Sequence, residues 1–430
     1  MSMKRQKEKS YELETQLAQI GNRSETETGT VSTPVFFSTA YRHGGLGQST
    51  GYEYTRTGNP TRDVLERTIA DLEKGDQGFA CSSGMAAIQL VLSLFEQGDE
   101  IIVGQDLYGG TYRLFEHLRQ CYGIVFHYVD IREPEAFTTA LSSHTKAIFI
   151  ETPTNPLMHQ ADLAALSAIA QAHKLTFIVD NTLNTPLRQQ PIRSGADIVI
   201  HSATKYLGGH NDVLAGLIVA KGADLCERLA TLHNAIGSTL SSLDAWLLMR
   251  GMKTLALRLE KQETNAQRVV AYLKAHEYVD DVFYPEIGGL ASFRIKKEEA
   301  VGPLLRHLQL ITFAESLGGV ETFITYPATQ THADIPADIR IKNGVCNRLL
   351  RISVGIEQST DIIDDLDQAL TQAIADTQAI ANTQAIEDTK VIADSQAINQ
   401  TQNKMAHSPS VQSDVKASGT ASTKGVSIDE

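Results

Sequence analysis

The sequence predicts an α/β fold with a large, mostly parallel sheet domain and a smaller α+β domain after it. Two patterns carry this expectation. Short, nearly continuous apolar runs alternate with segments of helical periodicity over roughly the first 240 residues. Strands that are apolar on both faces belong to parallel sheets covered by helices on both sides. From about Leu243 the pattern changes to long helices followed by further short strands.

Taken in order, the first fifty or so residues are irregular and rich in Ser, Thr and Gly, so they need another surface to lie on. Helical periodicity then marks Asn59–Leu72, Gly84–Phe95 and Leu163–His173. Strand runs are EIIVG (100–104), IVFHYV (124–129), KAIFIETP (146–153), LTFIVD (175–180), ADIVIHSATK (196–205) and GLIVAK (216–221). ASFRI (291–295) and LITFAES (310–316) read as strands of the second domain. This gives an N-terminal segment over 1–55, a large domain over 56–245 and an α+β domain over 246–370.

After Leu370 the composition breaks. Residues 371–430 contain no Leu, Phe, Tyr, Trp or Cys, and they open on hexads: TQAIAD, TQAIAN, TQAIED, TKVIAD, SQAINQ. At about 100° per residue a six-residue period turns each successive isoleucine by roughly 120°, so Ile374, Ile380, Ile386, Ile392 and Ile398 make no single helical stripe. On a strand they would share a face, which leaves a short β-solenoid open, although the glycine and turn residues of solenoids are missing. The segment reads as a low-complexity tail, mobile or partly helical, without its own core.

Composition narrows the function. Of 430 residues 42% are hydrophobic, enough for a sizeable core, and 51 acidic against 38 basic residues give a net charge of −13. That balance speaks against nucleic acid as a partner, since the basic cluster Lys4, Arg5, Lys7 and Lys9 is the sole one. No apolar stretch follows it as in a signal peptide, and no run of about 18 apolar residues would span a membrane. Cys81, Cys121, Cys226 and Cys346 are far apart with no C-x-x-C pair, as expected of a reduced, cytoplasmic protein.

The candidate chemistry lies at two strand ends. Asp180 follows LTFIV directly, and Lys205 follows the IVIHSAT run. In parallel sheets ligands sit beyond the carboxyl ends of the strands, so both should face one crevice. A structural salt bridge would account for the pair alone, but the flanking residues point further. Ser202 and Thr204 offer hydroxyls suited to phosphate oxygens. In CSSGMAAIQLV (81–91) the backbone N–H groups of Gly84 and Met85 open a helix, an anion site. A phosphate cradle, a lysine and a buried Asp are the equipment for pyridoxal 5′-phosphate (PLP). The lysine forms a Schiff base with its aldehyde and the Asp keeps its ring nitrogen protonated. Tyr108, in the loop before GG, suits the ring face.

Nine stretches now carry a resemblance: YEYTRTGNPTRDVLE (52–66), SSGMAAI, DLYGGTYRLF, ETPTNP (151–156), VDNT (179–182), HSATKYLGGHNDV (201–213), RGMKTLALR (250–258), ESLGGVET (315–322) and LLRISVGIE (349–357). In order over residues 10–370, they resemble the Cys/Met-metabolism PLP enzymes. That group includes cystathionine γ-synthase, the cystathionine β- and γ-lyases and the homoserine-ester sulfhydrylases. The resemblance implies the PLP-dependent transferase fold type I, aspartate aminotransferase-like, assembled as a homotetramer of dimers that share active sites. Carried over by motif, Lys205 is the Schiff-base lysine, Asp180 pairs with the ring nitrogen, and Tyr108 stacks on the ring. Gly84, Met85, Ser202 and Thr204 hold the phosphate, and Tyr54 and Arg56 reach the neighbouring subunit's phosphate. Arg351 clamps the α-carboxylate of an amino-acid substrate, helped by Asn155 and Ser316. Glu53 and Glu315 suit a substrate ammonium, and Arg113 a distal carboxylate or simply a helix surface.

The short EIGGLASF stretch after VFYP and the segment 322–357 look most like bacterial γ-synthases that also accept sulfide with O-acetylhomoserine. The resemblance therefore implies γ-replacement on an O-acylhomoserine in methionine biosynthesis. Two alternatives stay open: C–S elimination by a cystathionine lyase, and a catalytically silent PLP-fold binding protein with the tail as interaction element.

Overall fold

Six of the apolar runs pair into one sheet with a seventh strand, Gln77–Cys81, that the sequence reading did not mark. In the computed structural model, which describes residues 11–406, these strands are β1 (Gln77–Cys81), β2 (Glu100–Gly104), β3 (Val125–Val129), β4 (Thr145–Glu151), β5 (Thr176–Asp180), β6 (Ile198–Ser202) and β7 (Gly216–Ala220). Their order is β1-β7-β6-β5-β4-β2-β3. The pairs among β2 to β6 are parallel, whereas β7 runs antiparallel to both β6 and β1. That reversal follows from the β6–β7 connection, which holds no crossover helix and so returns the chain antiparallel.

Alternation along each strand explains the continuous apolar runs. Val179, Val199, Leu217 and Val219 pack on one face with Leu65 and Ile69 of the helix Pro60–Glu73 and Leu166 of the helix Leu163–His173. Ile178, Ile198, Ile200 and Ile218 point the other way, toward Ile88, Phe115 and Leu229 of the helices Gly84–Leu92, Gly109–Tyr122 and Ala223–Ile236. With both faces buried, no polar alternation survives in the sequence. Helix starts are fixed by side-chain caps. Asn59 accepts from the Thr61 N–H at 3.0 Å with Pro60 in the first turn, and Asp162 accepts from Ala165 at 3.0 Å.

The second sheet holds β8 (Val279–Phe283), β9 (Leu290–Ile295), β10 (Thr312–Phe313), β11 (Phe323–Thr325) and β12 (Leu349–Ser353), in the order β10-β11-β12-β9-β8. Val269, Val270 and Leu273 of the helix Leu255–Ala275 pack on it, as do Ile362, Leu366, Leu370 and Ile374. The irregular N-terminal segment is tied to the large sheet's helices. Thr61 Oγ1 accepts from the Phe36 N–H at 2.9 Å and donates to the Pro34 carbonyl at 2.8 Å, and Leu17 and Ile20 are buried. No helix among the described residues is long and apolar enough to cross a membrane.

The chain divides into two units, Met1–Ile374 and Ala375–Glu430. Apolar packing thus runs four residues past the compositional break at Leu370, because the helix Ser359–Ala406 keeps its inward face through Ile374. In the second unit the hexads are helical rather than a β-solenoid. Ala and Gln favour helix, and the Thr383, Thr389 and Ser395 hydroxyls donate to the carbonyls four residues back at 2.9, 2.6 and 2.7 Å. Ile380, Ile386, Ile392 and Ile398 are each 59–62% exposed, as their angular drift requires. The basic cluster at residues 4–9 and the Ser/Thr-rich end beyond 406 lie outside the described residues.

Burial decides which isoleucines matter. Ile374, 5% exposed, should cost about 2–4 kcal/mol when changed to Ala, whereas Ile380→Ala, at 62% exposure, should stay within about 0.5 kcal/mol. Denaturant midpoints check this, and equal effects at the two positions would contradict the packing boundary.

Candidate active site

The carboxyl ends of β4, β5 and β6 open into one cavity of about 260 Å³, lined by Gly84, Met85, Tyr108, Glu151, Asn155, Asp180, Ser202, Thr204, Lys205, Glu315, Ser316 and Arg351. The strand at 196–205 stops at Ser202 because the chain turns there: the Lys205 N–H donates back to the Ser202 carbonyl at 3.1 Å. The turn is clasped from behind by Arg258. This buried guanidinium donates to the Tyr206 carbonyl at 2.8 Å, the Leu207 carbonyl at 3.4 Å and the Gly251 carbonyl at 2.8 Å. Gly209, at φ +73°, leaves room for it, since a Cβ there would stand 2.0 Å from Arg258 Nη1. Lys205 Nζ donates to Ser316 Oγ at 3.3 Å. Burial, and then the Arg351 charge, push its pKa down to about 8, against a smaller opposing pull from Glu315.

Asp180 is oriented by a relay across the strand ends. The Ser202 N–H donates to Thr182 Oγ1 at 2.8 Å, and Thr182 donates its hydroxyl and N–H to Asp180 Oδ1 at 2.5 and 3.0 Å. Glu151 stands beside Asp180 in register on β4. Burial first, then the neighbouring Asp180, hold the Glu151 carboxyl well above the ordinary range. Asp180 is also raised by burial, with Thr182 opposing. With two donors on its Oδ1, Asp180 carries the charge of the pair and Glu151 keeps the proton.

Glu151 Oε2 also accepts the Tyr108 N–H at 3.0 Å. The two glycines after Tyr108 have a steric cause. A Cβ on Gly110 would lie 2.4 Å from Tyr108 Cε1, and one on Gly109 would lie 2.1 Å from the Thr331 carbonyl oxygen. The ring is therefore folded back over its own helix start, in the cavity wall. Burial, then Glu315, raise the Tyr108 phenol, so it is a proton donor near neutral pH.

Two anion positions complete the cavity. Ser83 caps the helix Gly84–Leu92 through Ala86 at 3.0 Å, leaving the first N–H groups of that helix without intrahelical acceptors. Gly84 packs so tightly on β6 that a Cβ would come 2.8 Å from Ser202 Cβ. Thr204 Oγ1 is already engaged with Ala215, accepting its N–H at 3.0 Å and donating to its carbonyl at 3.2 Å. At the other end Arg351 is 1% exposed. Its Nη1 donates to Asn155 Oδ1 at 2.8 Å, and its Nη2 to the Ser316 carbonyl at 2.8 Å and Thr325 Oγ1 at 3.0 Å. Its Nε has no partner, and no carboxylate among the described residues pairs with it. Burial lowers its pKa to about 10, so it is a cation at neutral pH. Ser316 sits at φ +113°, a conformation that costs a non-glycine residue about 1–3 kcal/mol.

These residues fit PLP. Lys205 offers the amine for its aldehyde, the Gly84–Met85 N–H groups and Ser202 suit its phosphate, Asp180 its ring nitrogen and Tyr108 its ring face.

Four sequence-predicted residues do not join the cavity. Arg113 pairs instead with exposed Asp334 on the surface of its helix. Glu53, Tyr54 and Arg56 lie on the N-terminal segment. Arg56 donates to Asn234 Oδ1 at 2.6 Å and sits 5.6 Å above the Tyr54 ring, which is 46% exposed. The sequence reading overlooked Glu151, Thr182 and Arg258. Each stood inside a motif already marked, and only its burial and partners single it out.

In cofactor-free protein the Lys205 amine should become reactive toward an acylating reagent with a midpoint near pH 8, against about 10.4 for ordinary lysines. Removing the neighbouring cation in Arg351→Ala should move that midpoint upward. A wild-type midpoint near that of ordinary lysines would contradict the buried, cation-flanked setting. Peptide mapping of the labelled site reads the result.

The sequence profile described as "Cys/Met metabolism PLP-dependent enzyme" matches residues 14–371. The chain is 59% identical over 363 residues to a cystathionine γ-synthase/O-acetylhomoserine (thiol)-lyase of Bacillus subtilis, covering 84% of this chain and 97% of that protein. It is 55% identical over 360 residues to a cystathionine γ-synthase of Haemophilus influenzae, covering 84% and 98%. The solved cystathionine γ-lyase of Lactobacillus plantarum, in complex with L-serine, superimposes with a TM-score of 0.82 at 45% identity, covering 84% of this chain and 99% of that one. Profile, relatives and cavity agree, and the chain belongs to the Cys/Met-metabolism family of PLP-dependent enzymes.

Proposed function

We propose that this enzyme replaces the acyloxy group of an O-acylhomoserine by cysteine, giving cystathionine, or by sulfide, giving homocysteine, within methionine biosynthesis. The similarity to γ-synthase relatives supports this choice. The observation that carries it is the contact chain Arg351–Ser316–Lys205. Arg351 Nη2 holds the Ser316 carbonyl at 2.8 Å and Lys205 Nζ holds the Ser316 hydroxyl at 3.3 Å. A carboxylate on Arg351 thereby sets an amino acid's Cα toward the Lys205 amine.

When bound, PLP supplies the aldehyde that captures the substrate amine and the electron sink that acidifies its Cα and Cβ hydrogens. The chain's residues do the rest. Arg351 receives the α-carboxylate, with Asn155 fixing the guanidinium. Lys205, whose lowered pKa leaves far more free amine near neutral pH than an ordinary lysine has, takes the proton from Cα and then from Cβ. The Cγ–O bond breaks with its electron pair on the departing carboxylate. A thiol then forms the Cγ–S bond, and the protons return to Cβ and Cα. Tyr108, a proton donor at this pH, lines the same cavity and would face the bound ring.

Glu53, Tyr54 and Arg56 serve the neighbouring subunit's cavity in this reading, within a homotetramer of dimers. Their position outside their own cavity supports it, as do the exposed Val31, Phe37 and Leu46 of the same segment, apolar surface that a second chain would cover. A cystathionine lyase is the second reading, favoured by the 45% identity to the L. plantarum γ-lyase.

Incubation with O-acetylhomoserine and cysteine should give cystathionine. Arg351→Lys, which loses the planar fork, should reduce kcat/KM by about 10- to 100-fold. Rapid consumption of cystathionine with no condensation product would establish the lyase instead. For the shared site, Arg56→Ala and Lys205→Ala subunits, each inactive alone, should regain activity when assembled together. No recovery would place Arg56 in its own chain's function.

A further inference from the structure

A second cavity, of about 290 Å³, lies beyond the carboxyl ends of β2 and β3. Two polar atoms of opposite sign line it without hydrogen-bond partners: Asp106 Oδ2 and Arg294 Nε. Asp106 is 7% exposed, and the His159 ring nitrogen Nδ1 lies 3.7 Å from its Oδ2. Arg294 spends its other nitrogens on Asp281 at 2.8 Å and on the Gly344 carbonyl at 2.7 Å. No ion pair joins Asp106 to Arg294. Beside Arg294 stands exposed Lys342, with no ion-pair partner among the described residues. Asp130 and Arg132 also line the cavity but neutralise each other in a bidentate pair.

A buried carboxylate oxygen without a hydrogen bond and an ammonium without an ion pair, Asp106 and Lys342, line one cavity and are complementary to a molecule that carries both charges. We propose that this cavity binds a small zwitterionic amino acid, its ammonium on Asp106 and its carboxylate between Arg294 and Lys342. Such a ligand satisfies both orphaned atoms at once, which a lone cation or anion does not. The site is regulatory by position. The segment after β2 lines this cavity at Asp106 and the catalytic one at Tyr108, and the segment after β4 lines it at Leu157 and His159 and the catalytic one at Asn155.

Protonation adds a signature. Burial pushes the Asp106 carboxyl up to about 7, Asp130 adding to the rise and Thr154, Leu157 and Arg132 opposing it. His159 is lowered by burial and stays neutral at that pH. The titratable and charged groups around Asp106 are then the Asp130–Arg132 pair, Arg294 with its partner Asp281, Lys342, and buried Glu151, which keeps its proton. A bound ammonium favours the carboxylate, so binding releases a proton and weakens as pH falls below about 7.

The test is isothermal titration of the holoenzyme with sarcosine and L-proline, zwitterions whose secondary amines form no neutral imine with an aldehyde. Saturable binding of one molecule per chain is expected, with a heat that depends on the buffer's ionisation enthalpy. Asp106→Asn should weaken binding by about tenfold or more and remove the buffer dependence. Lys342→Ala, a surface change that leaves the fold and basal turnover intact, should also weaken it. Bound ligand should alter kcat for O-acetylhomoserine and cysteine in the wild type. Binding of neither compound, or binding insensitive to both substitutions, would overturn the site. Binding without any change in kcat would overturn its regulatory role.

Discussion

A buried guanidinium without a counter-ion organises this enzyme. Arg351 is placed at the edge of the cavity by β12, surrounded by neutral acceptors and left with one nitrogen unused. Isolated charges are costly to bury, and removing a partner from one is usually destabilising. The protein tolerates the charge because three neutral oxygens solvate it while keeping it available to an anion. The same guanidinium donates to the carbonyl of strained Ser316 and adds to the burial that depresses the Lys205 amine, so substrate recognition and base strength are linked electrostatically.

The scaffold makes that arrangement possible by bringing distant segments to the ends of parallel strands. Asp180, Glu151 and Lys205 arrive there from β5, β4 and the turn after β6, and the small sheet contributes Arg351. Arg258 and Gly209 then fix the turn that carries Lys205. Beneath it, His201 and Glu73, both fully buried, meet at 2.7 Å, and Asn181 donates to the same Glu73 oxygen at 2.8 Å. These contacts tie β6 to the helix Pro60–Glu73 directly below the residues that do chemistry. Rigid support of this kind is what precise positioning of a base and a carboxylate clamp requires.

Much of this was legible in the sequence, and for stated reasons. Strands buried on both faces leave continuous apolar runs, so the sheet could be read directly. Lys205 and Asp180 could be read because strand ends are where such folds place ligands. What escaped depends on contacts between residues far apart in the chain. Glu151 reads as the polar end of an apolar strand until Tyr108 and Asp180 are seen beside it. Arg258 is one more basic residue on a long helix until its carbonyl partners are known. For Arg113 the sequence left a distal-carboxylate site and a helix surface both open, and it pairs with exposed Asp334. The hexads show that a pattern with no stripe can still be helical, because propensity does not need an apolar face.

The most direct test is a crystal structure of the holoenzyme with an unreactive analogue of O-acetylhomoserine. The account predicts the analogue's carboxylate on Arg351, taking the unused Nε, with Cα turned toward Lys205. A carboxylate bound elsewhere, with Arg351 still held by Asn155, Ser316 and Thr325 alone, would contradict it.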